Sequence, residues 1–225
     1  MVTGRAVHVL ADHQLMGEAV AAALNSRGRS VATMRWRFGP ARAAVGPPEP
    51  GGSGPWSGVL VCDLDDPLSL AAARCLVSRG TEIWLVIAPG RVDARWGALL
   101  AAGAEGILSA GSSLEELYGA LERLEAGEGI LEPEVRSAAF DAWAALPEEI
   151  RQLVARLERL TASERDVLAG LRDGMPVGVL AWERGVSVAT VRSQVRAVLR
   201  KLAVGTQIAA VAALARLEES ELFGE

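Results

Sequence analysis

The sequence predicts a doubly wound α/β domain with a five-stranded parallel sheet, followed by an all-helical domain. Three observations carry this expectation. Short apolar runs alternate with Ala/Leu-rich stretches as far as Gly127, the strand signal stops after Gly129, and four short helices with their own start and stop signals fill residues 161–219. Strands that alternate with helices favour a parallel sheet covered on both faces.

The elements follow in order. Val7–Leu10 is a short apolar run leading through Asp12 and His13 into an Ala/Leu-rich helix, Leu15–Leu24, which ends near Gly28. Val31–Trp36 suits a second strand. Residues 39–57 are too rich in Gly and Pro for a helix and are expected as a long loop. Gly51–Gly54 within it is no phosphate loop, because no Gly-Lys-Ser/Thr follows. Val59–Cys62 and Ile83–Ala88 have the continuous apolar character of buried strands, and Gly106–Leu108 adds a short fifth. Leu68–Ser78, Ala94–Ala102 and Leu114–Ala126 are the helices between and after them. Asp12 and Asp63 both fall at strand C-termini, where sheets of this type gather their binding groups. Pro133–Ala145 and Pro147–Leu160 are helices opened by proline and are expected to form a linker. The boundaries are therefore 1–127 for the α/β domain, 128–159 for the helical linker and 160–225 for the last domain.

Composition narrows the function classes. Half of the 225 residues are hydrophobic, enough for two compact cores. No apolar run reaches the roughly eighteen residues that span a bilayer, and the N-terminus carries no secretion signal. Cys62 and Cys75 make no disulfide framework, so a reduced, cytoplasmic setting is expected. His8 and His13 have no further ligand at metal spacing, so no metal site is expected. The six tryptophans are scattered and suit core or interface positions. No nucleophile–base pair is evident, so no enzyme is expected. The net charge of −5 is uneven: residues 150–204 hold ten Lys/Arg against five Asp/Glu, and the remainder thirteen against twenty-three. A basic segment on an acidic chain suits a local polyanion site, although a solvated helix face has the same composition.

The last domain contains the strongest local signal. Thr161-Ala162-Ser163-Glu164 is a capping box that starts a helix through Val167, Leu168 and Leu171 to Gly174. Pro176 opens Val177–Glu183, Gly185 breaks it, and Ser187 caps Val188–Leu202. In that longest helix Val191, Val195, Val198, Leu199 and Leu202 form a buried stripe. Arg192, Arg196 and Arg200 lie four apart on the outer side beside Ser193. Two short helices around a glycine turn, followed by an arginine-bearing helix, have helix-turn-helix geometry, which fits the major groove. An ordinary three-helix bundle with a charged exterior shares the bare pattern.

LTASERDVLAGLRDG, GVSVATVRSQVRAVLRKLAV and TQIAAVA resemble the LuxR/FixJ-type DNA-binding domain of NarL-like regulators, over about residues 158–215. The resemblance implies sequence-specific binding of double-stranded DNA as a homodimer. It implies base or phosphate contacts for Arg192, Ser193 and Arg196 and a backbone contact for Thr190, with Arg200 and Lys201 as further candidates. It places dimerisation on Gln207–Leu217, with Ile208, Val211, Ala212 and Leu214 available for that face. The sequence departs from the family where Val177, Gly178 and Val179 replace polar residues early in the second helix, which removes one or two phosphate contacts.

Residues 5–126 resemble a response-regulator receiver, as in two-component systems. VCDLDDP places Asp63 at the phospho-acceptor position. A working receiver holds Mg²⁺ with two acidic residues after the first strand; here the pair reads Ala11-Asp12. The hydroxyl position reads Ile87 and the lysine position Ala110, and the Pro/Gly loop takes the place of the second helix. A phosphoryl group on Asp63 would add nearly two negative charges with no lysine to offset them. The resemblance with these losses implies a DNA-binding regulator that works without phosphate, with Mg²⁺ at Asp12 and Asp63 disfavoured and a small ligand or protein partner as the input. Two alternatives stand beside it: a conventional switch phosphorylated at Asp63, and a protein-interaction module or anti-regulator that has lost DNA binding.

Overall fold

The computed structural model describes residues 6–36, 56–78, 83–90 and 92–223. Five parallel strands form one sheet: β1 (Ala6–Ala11), β2 (Val31–Arg35), β3 (Trp56–Val61), β4 (Ile83–Ala88) and β5 (Gly106–Ser109), in the order β2-β1-β3-β4-β5. Helices α1 (Gln14–Ser26), α2 (Pro67–Val77), α3 (Ala94–Ala102) and α4 (Leu114–Glu125) follow strands β1, β3, β4 and β5. Then come α5 (Pro133–Ala145), α6 (Glu148–Glu158), α7 (Ala162–Arg172), α8 (Val177–Glu183), α9 (Val188–Leu202) and α10 (Gln207–Glu218). The expected fold class is the observed one. Of the loop expected over 39–57, residues 39–55 lie outside the described residues, while Trp56 and Ser57 already belong to β3, paired with Ala6 and Val7 of β1.

The sheet follows from its residues. β-branched and apolar side chains fill both faces of the central strands, and Val7, Val59, Leu60, Leu85 and Val86 are wholly buried. Register is fixed by pairs such as Val9 with Val59 and Val59 with Leu85. The chain goes outward from β1 to β2, then returns past β1 to β3. The strand order thus reverses between β1 and β3, the point at which such sheets open a crevice at their carboxyl ends. Asp12 and Asp63 stand at that point, one or two residues beyond their strands.

The described residues form two compact units, with the sheet, α1, α3, α4 and α5 in one and α6 to α10 in the other. The two helices expected as a linker therefore divide, α5 with the sheet and α6 with the helical unit. Close backbone approach explains the place of α5. A Cβ on Gly97 of α3 would lie 1.9 Å from the Ala139 carbonyl oxygen of α5, so only glycine permits this packing. Arg74 covers the Trp143 ring of α5 at 4.9 Å.

In the helical unit, Val167, Leu180, Ala181, Val191 and Val195 form the core, with Leu171, Met175, Val177 and Leu199 packed around it. Gly170 brings α7 against α8, since a Cβ there would meet the Leu180 side chain at 2.3 Å. Thr161 and Glu164 make the expected capping box: the Glu164 amide donates to Thr161 Oγ1 at 3.3 Å and the Thr161 amide to Glu164 Oε2 at 2.7 Å.

Candidate nucleic-acid interface

The helix α9 owes its orientation to the stripe that it buries. Val191, Val195, Val198 and Leu202 are four per cent exposed or less, at the 3-4 spacing of one helix face. Ser187 caps the helix by accepting from the Thr190 amide at 3.0 Å. The opposite face carries Arg192, Ser193, Arg196 and Arg200, all exposed. Among the described residues, no ion pair or hydrogen bond engages the three arginine side chains. They are three cations in one row, one turn apart, presented to solvent by a helix whose rotation is fixed from behind. Such a row can donate to guanine edges or to phosphates.

Not every candidate joins it. Lys201 Nζ lies 2.5 Å from Glu164 Oε2, which ties the ammonium to the start of α7 and away from the arginine row. Burial pushes the Glu164 carboxyl up, but the hydrogen bonds from Lys201 and Thr161 outweigh it and hold the group below its ordinary range. Thr190 sits exposed in the first turn, with its hydroxyl 2.8 Å from that of Ser187. Early in α8, Gly178 and Val179 are exposed and Val177 packs on the core, so the apolar substitutions offer no side-chain donor there. Trp182 is 83% exposed, whereas Trp84 and Trp96 are buried in the sheet unit.

Along α10, Ile208 is 83% exposed, Val211 is half-buried and Ala212 is exposed. With Leu171, Met175 and Gln207 they line a groove of about 440 Å³. Leu214 takes no part in that face: it is 1% exposed and faces the core, because it stands two positions beyond Ala212, across the helix.

The crevice of the sheet unit has different chemistry. Asp12 Oδ2 accepts from the Asp63 amide at 2.9 Å and Asp12 Oδ1 from the His13 amide at 2.7 Å. Both oxygens therefore brace the backbone of the site. Asp63 itself is exposed. Ile87 is the penultimate residue of β4 and Ala110 follows β5, so neither a hydroxyl nor an ammonium is presented from those positions. No group of three or more His, Cys, Asp or Glu is placed to hold a metal among the described residues.

One set of residues escaped the sequence reading. Asp166 of α7 and Arg184 after α8 are both buried and face each other, and Arg184 reaches Gln194 of α9. In the sequence Asp166 is an ordinary charged residue inside a helix, and Arg184 an ordinary polar residue before a glycine. Only the 3-4 spacing of Asp166 to Gly170, at a buried contact, hints that it faces inward.

No protein-family model and no curated protein matches the chain. Among solved structures it is similar to the response regulator RcsB of Salmonella typhimurium, at 21% identity over 96% of this chain and 100% of that one, with a TM-score of 0.46. It is similar to RcsB in an RcsB–DNA complex, at 21% identity over 94% and 98% of the two chains and a TM-score of 0.46. Full-length FixJ from B. japonicum matches at 18% identity over 96% and 98%, with a TM-score of 0.43. At these scores the likeness adds nothing to what the chain's own residues establish.

Proposed function

We propose that this chain is a sequence-specific DNA-binding transcription regulator that reads the major groove with α9 and is governed without phosphate on Asp63. The observation that carries it is the exposed row of Arg192, Ser193, Arg196 and Arg200 opposite a fully buried stripe. The local excess of Lys and Arg over residues 150–204 supports it. The test is to enrich duplexes from a random-sequence library with the full chain and to measure their affinity across a salt series. Affinity falls with salt by a slope of about 0.9 for each phosphate contacted. Arg192→Ala with Arg196→Ala abolishes it. A chain that enriches no duplex at low salt sinks the reading.

Phosphate-independent control is supported by Ile87, Ala110 and the engagement of both Asp12 oxygens by backbone amides. Mg²⁺ at Asp12 and Asp63 is not part of this reading, and a small ligand or protein partner is the input it favours. Incubation with a small phosphodonor and Mg²⁺ leaves the intact mass unchanged; an aspartyl phosphate that disappears in Asp63→Asn would restore the conventional switch. The chain acts as a homodimer through α10, where Ile208, Val211 and Ala212 offer an apolar face. Ile208→Glu then gives a monomer in sedimentation, while wild type sediments as a dimer. The reading includes a cytoplasmic setting and no catalytic activity.

A second reading draws on α8, where Val179 and Trp182 are 42% and 83% exposed. A protein-interaction module without DNA binding would use such a surface. The same enrichment decides between them.

A further inference from the structure

We infer that Arg184 is a positioning residue for α9, holding Gln194 on one side and Asp166 on the other, and that protonation of Asp166 releases this hold and weakens DNA binding. The consequence for DNA rests on the function proposed above; the link itself does not. Arg184 Nη1 donates to Gln194 Oε1 at 3.0 Å. Its Nη2 stands 3.9 Å from Asp166 Oδ2, with both side chains 6% exposed. Gln194 lies between Arg192 and Arg196 in sequence, so its bond to Arg184 trims the presentation of an arginine row whose rotation the buried stripe sets.

The Asp166 end of this link is the weak one. At 3.9 Å the contact is one of charge without a hydrogen bond, and Asp166 Oδ1 and Arg184 Nε have no hydrogen-bond partner among the described residues. Burial pushes the Asp166 carboxyl up to about 6, against the opposing pull of Arg184 and of Arg165. The charged groups facing it are Arg184 after α8 and Arg165 on its own helix. From α9 comes the neutral Gln194, reached through Arg184, while the Lys201 ammonium is engaged by Glu164. Arg165 is anchored separately, its Nη1 donating to the Leu160 carbonyl at 2.7 Å. Protonation therefore removes from this buried site the charge that attracts both Arg184 and Arg165. Arg184 has the looser attachment and moves toward water, leaving Gln194 unheld.

Two properties make this testable. Both histidines of the chain, His8 and His13, lie in the sheet unit and not in the helical one. The readouts also have opposite signs. Because the folded carboxyl is raised, the proton stabilises the fold at low pH, and this contribution is lost as pH rises through about 6. A merely structural role would make stability and binding move together.

The experiment uses the full chain and a duplex that it enriches from a random library at about pH 7.5. Wild-type affinity falls about three- to tenfold on going to about pH 5.5 at fixed ionic strength, in the range expected for contacting residues. Asp166→Asn binds at both pH values as wild type does at the lower one, and Gln194→Ala loses the pH response. A wild type indifferent to pH, or an Asp166→Asn variant that keeps the wild-type response, overturns the inference. The Gln194 side-chain amide resonance, followed by NMR without DNA, shifts with a midpoint near 6 in wild type and stays flat in Asp166→Asn. If no duplex is enriched but this resonance titrates, the link stands and the DNA reading fails. A flat resonance overturns the link whatever the DNA result.

Discussion

At the carboxyl ends of β1 and β3, Asp12 has both of its oxygens engaged by backbone amides, at 2.7 and 2.9 Å. Along α9, Arg192, Arg196 and Arg200 carry their charge into solvent. Each unit has the scaffold expected of it, but Asp12 commits its oxygens to the backbone while the α9 arginines present their guanidinium groups to solvent. The sheet unit is built by apolar side chains that fill both faces of β3 and β4, and those residues hold the fold whatever stands at the strand ends. The sheet is intact with Ala110 where the resemblance implies a lysine. In the helical unit the scaffold and the surface are two faces of one helix, so the stripe that folds α9 also aims its arginines. Fold and chemistry are separable in the first unit and coupled in the second.

That contrast can be attacked directly. The largest expected effect comes from Arg192→Ala with Arg196→Ala, which costs about 2–6 kcal/mol of binding if each arginine contributes as a groove contact does. Asp63→Asn changes affinity for the same duplex by no measurable amount. A comparable loss from Asp63→Asn would erase the distinction between the units. Next is Gly170→Ala, whose new methyl group meets Leu180 at 2.3 Å. It lowers the stability of the helical unit by about 1–3 kcal/mol in denaturant unfolding, and weakens DNA binding with it because α8 supports α9. The smallest effect is at the end of α9, where Ala203 has φ +58 and caps the helix in the left-handed region. Ala203→Gly relieves that backbone and raises the melting temperature, by an amount equivalent to about 0.5–1 kcal/mol. It leaves binding unchanged; an altered affinity would show that the two faces of α9 are coupled as far as its C-terminus.

Much of this was legible in the chain itself. The central strands β3 and β4 have the apolar character of buried parallel strands. The helices are marked by Ser113, Thr161, Ser187 and Thr206, whose side chains each accept from a backbone amide three residues on. The alternation of Val191, Arg192, Val195 and Arg196 shows both faces of α9 at once. Such patterns report burial along one dimension, and burial is what the hydrophobic effect selects.

Pairing between distant segments is a different matter. Lys201 looks as available as Arg200 until the capping glutamate of α7 is found beside it. Asp12 looks like half of an acidic pair until its oxygens are seen bracing Asp63 and His13. Leu214 suits an exposed face as well as Ile208 does until one is 1% exposed and the other 83%. Asp166, Arg184 and Gln194 share no spacing that a sequence pattern could detect. Sequence determined where the helices and strands run and which face of α9 carries charge, because those depend on the period of apolar residues. Tertiary structure alone decided which charges remain free to act, because an ion pair forms wherever folding brings two side chains together, however far apart they stand along the chain.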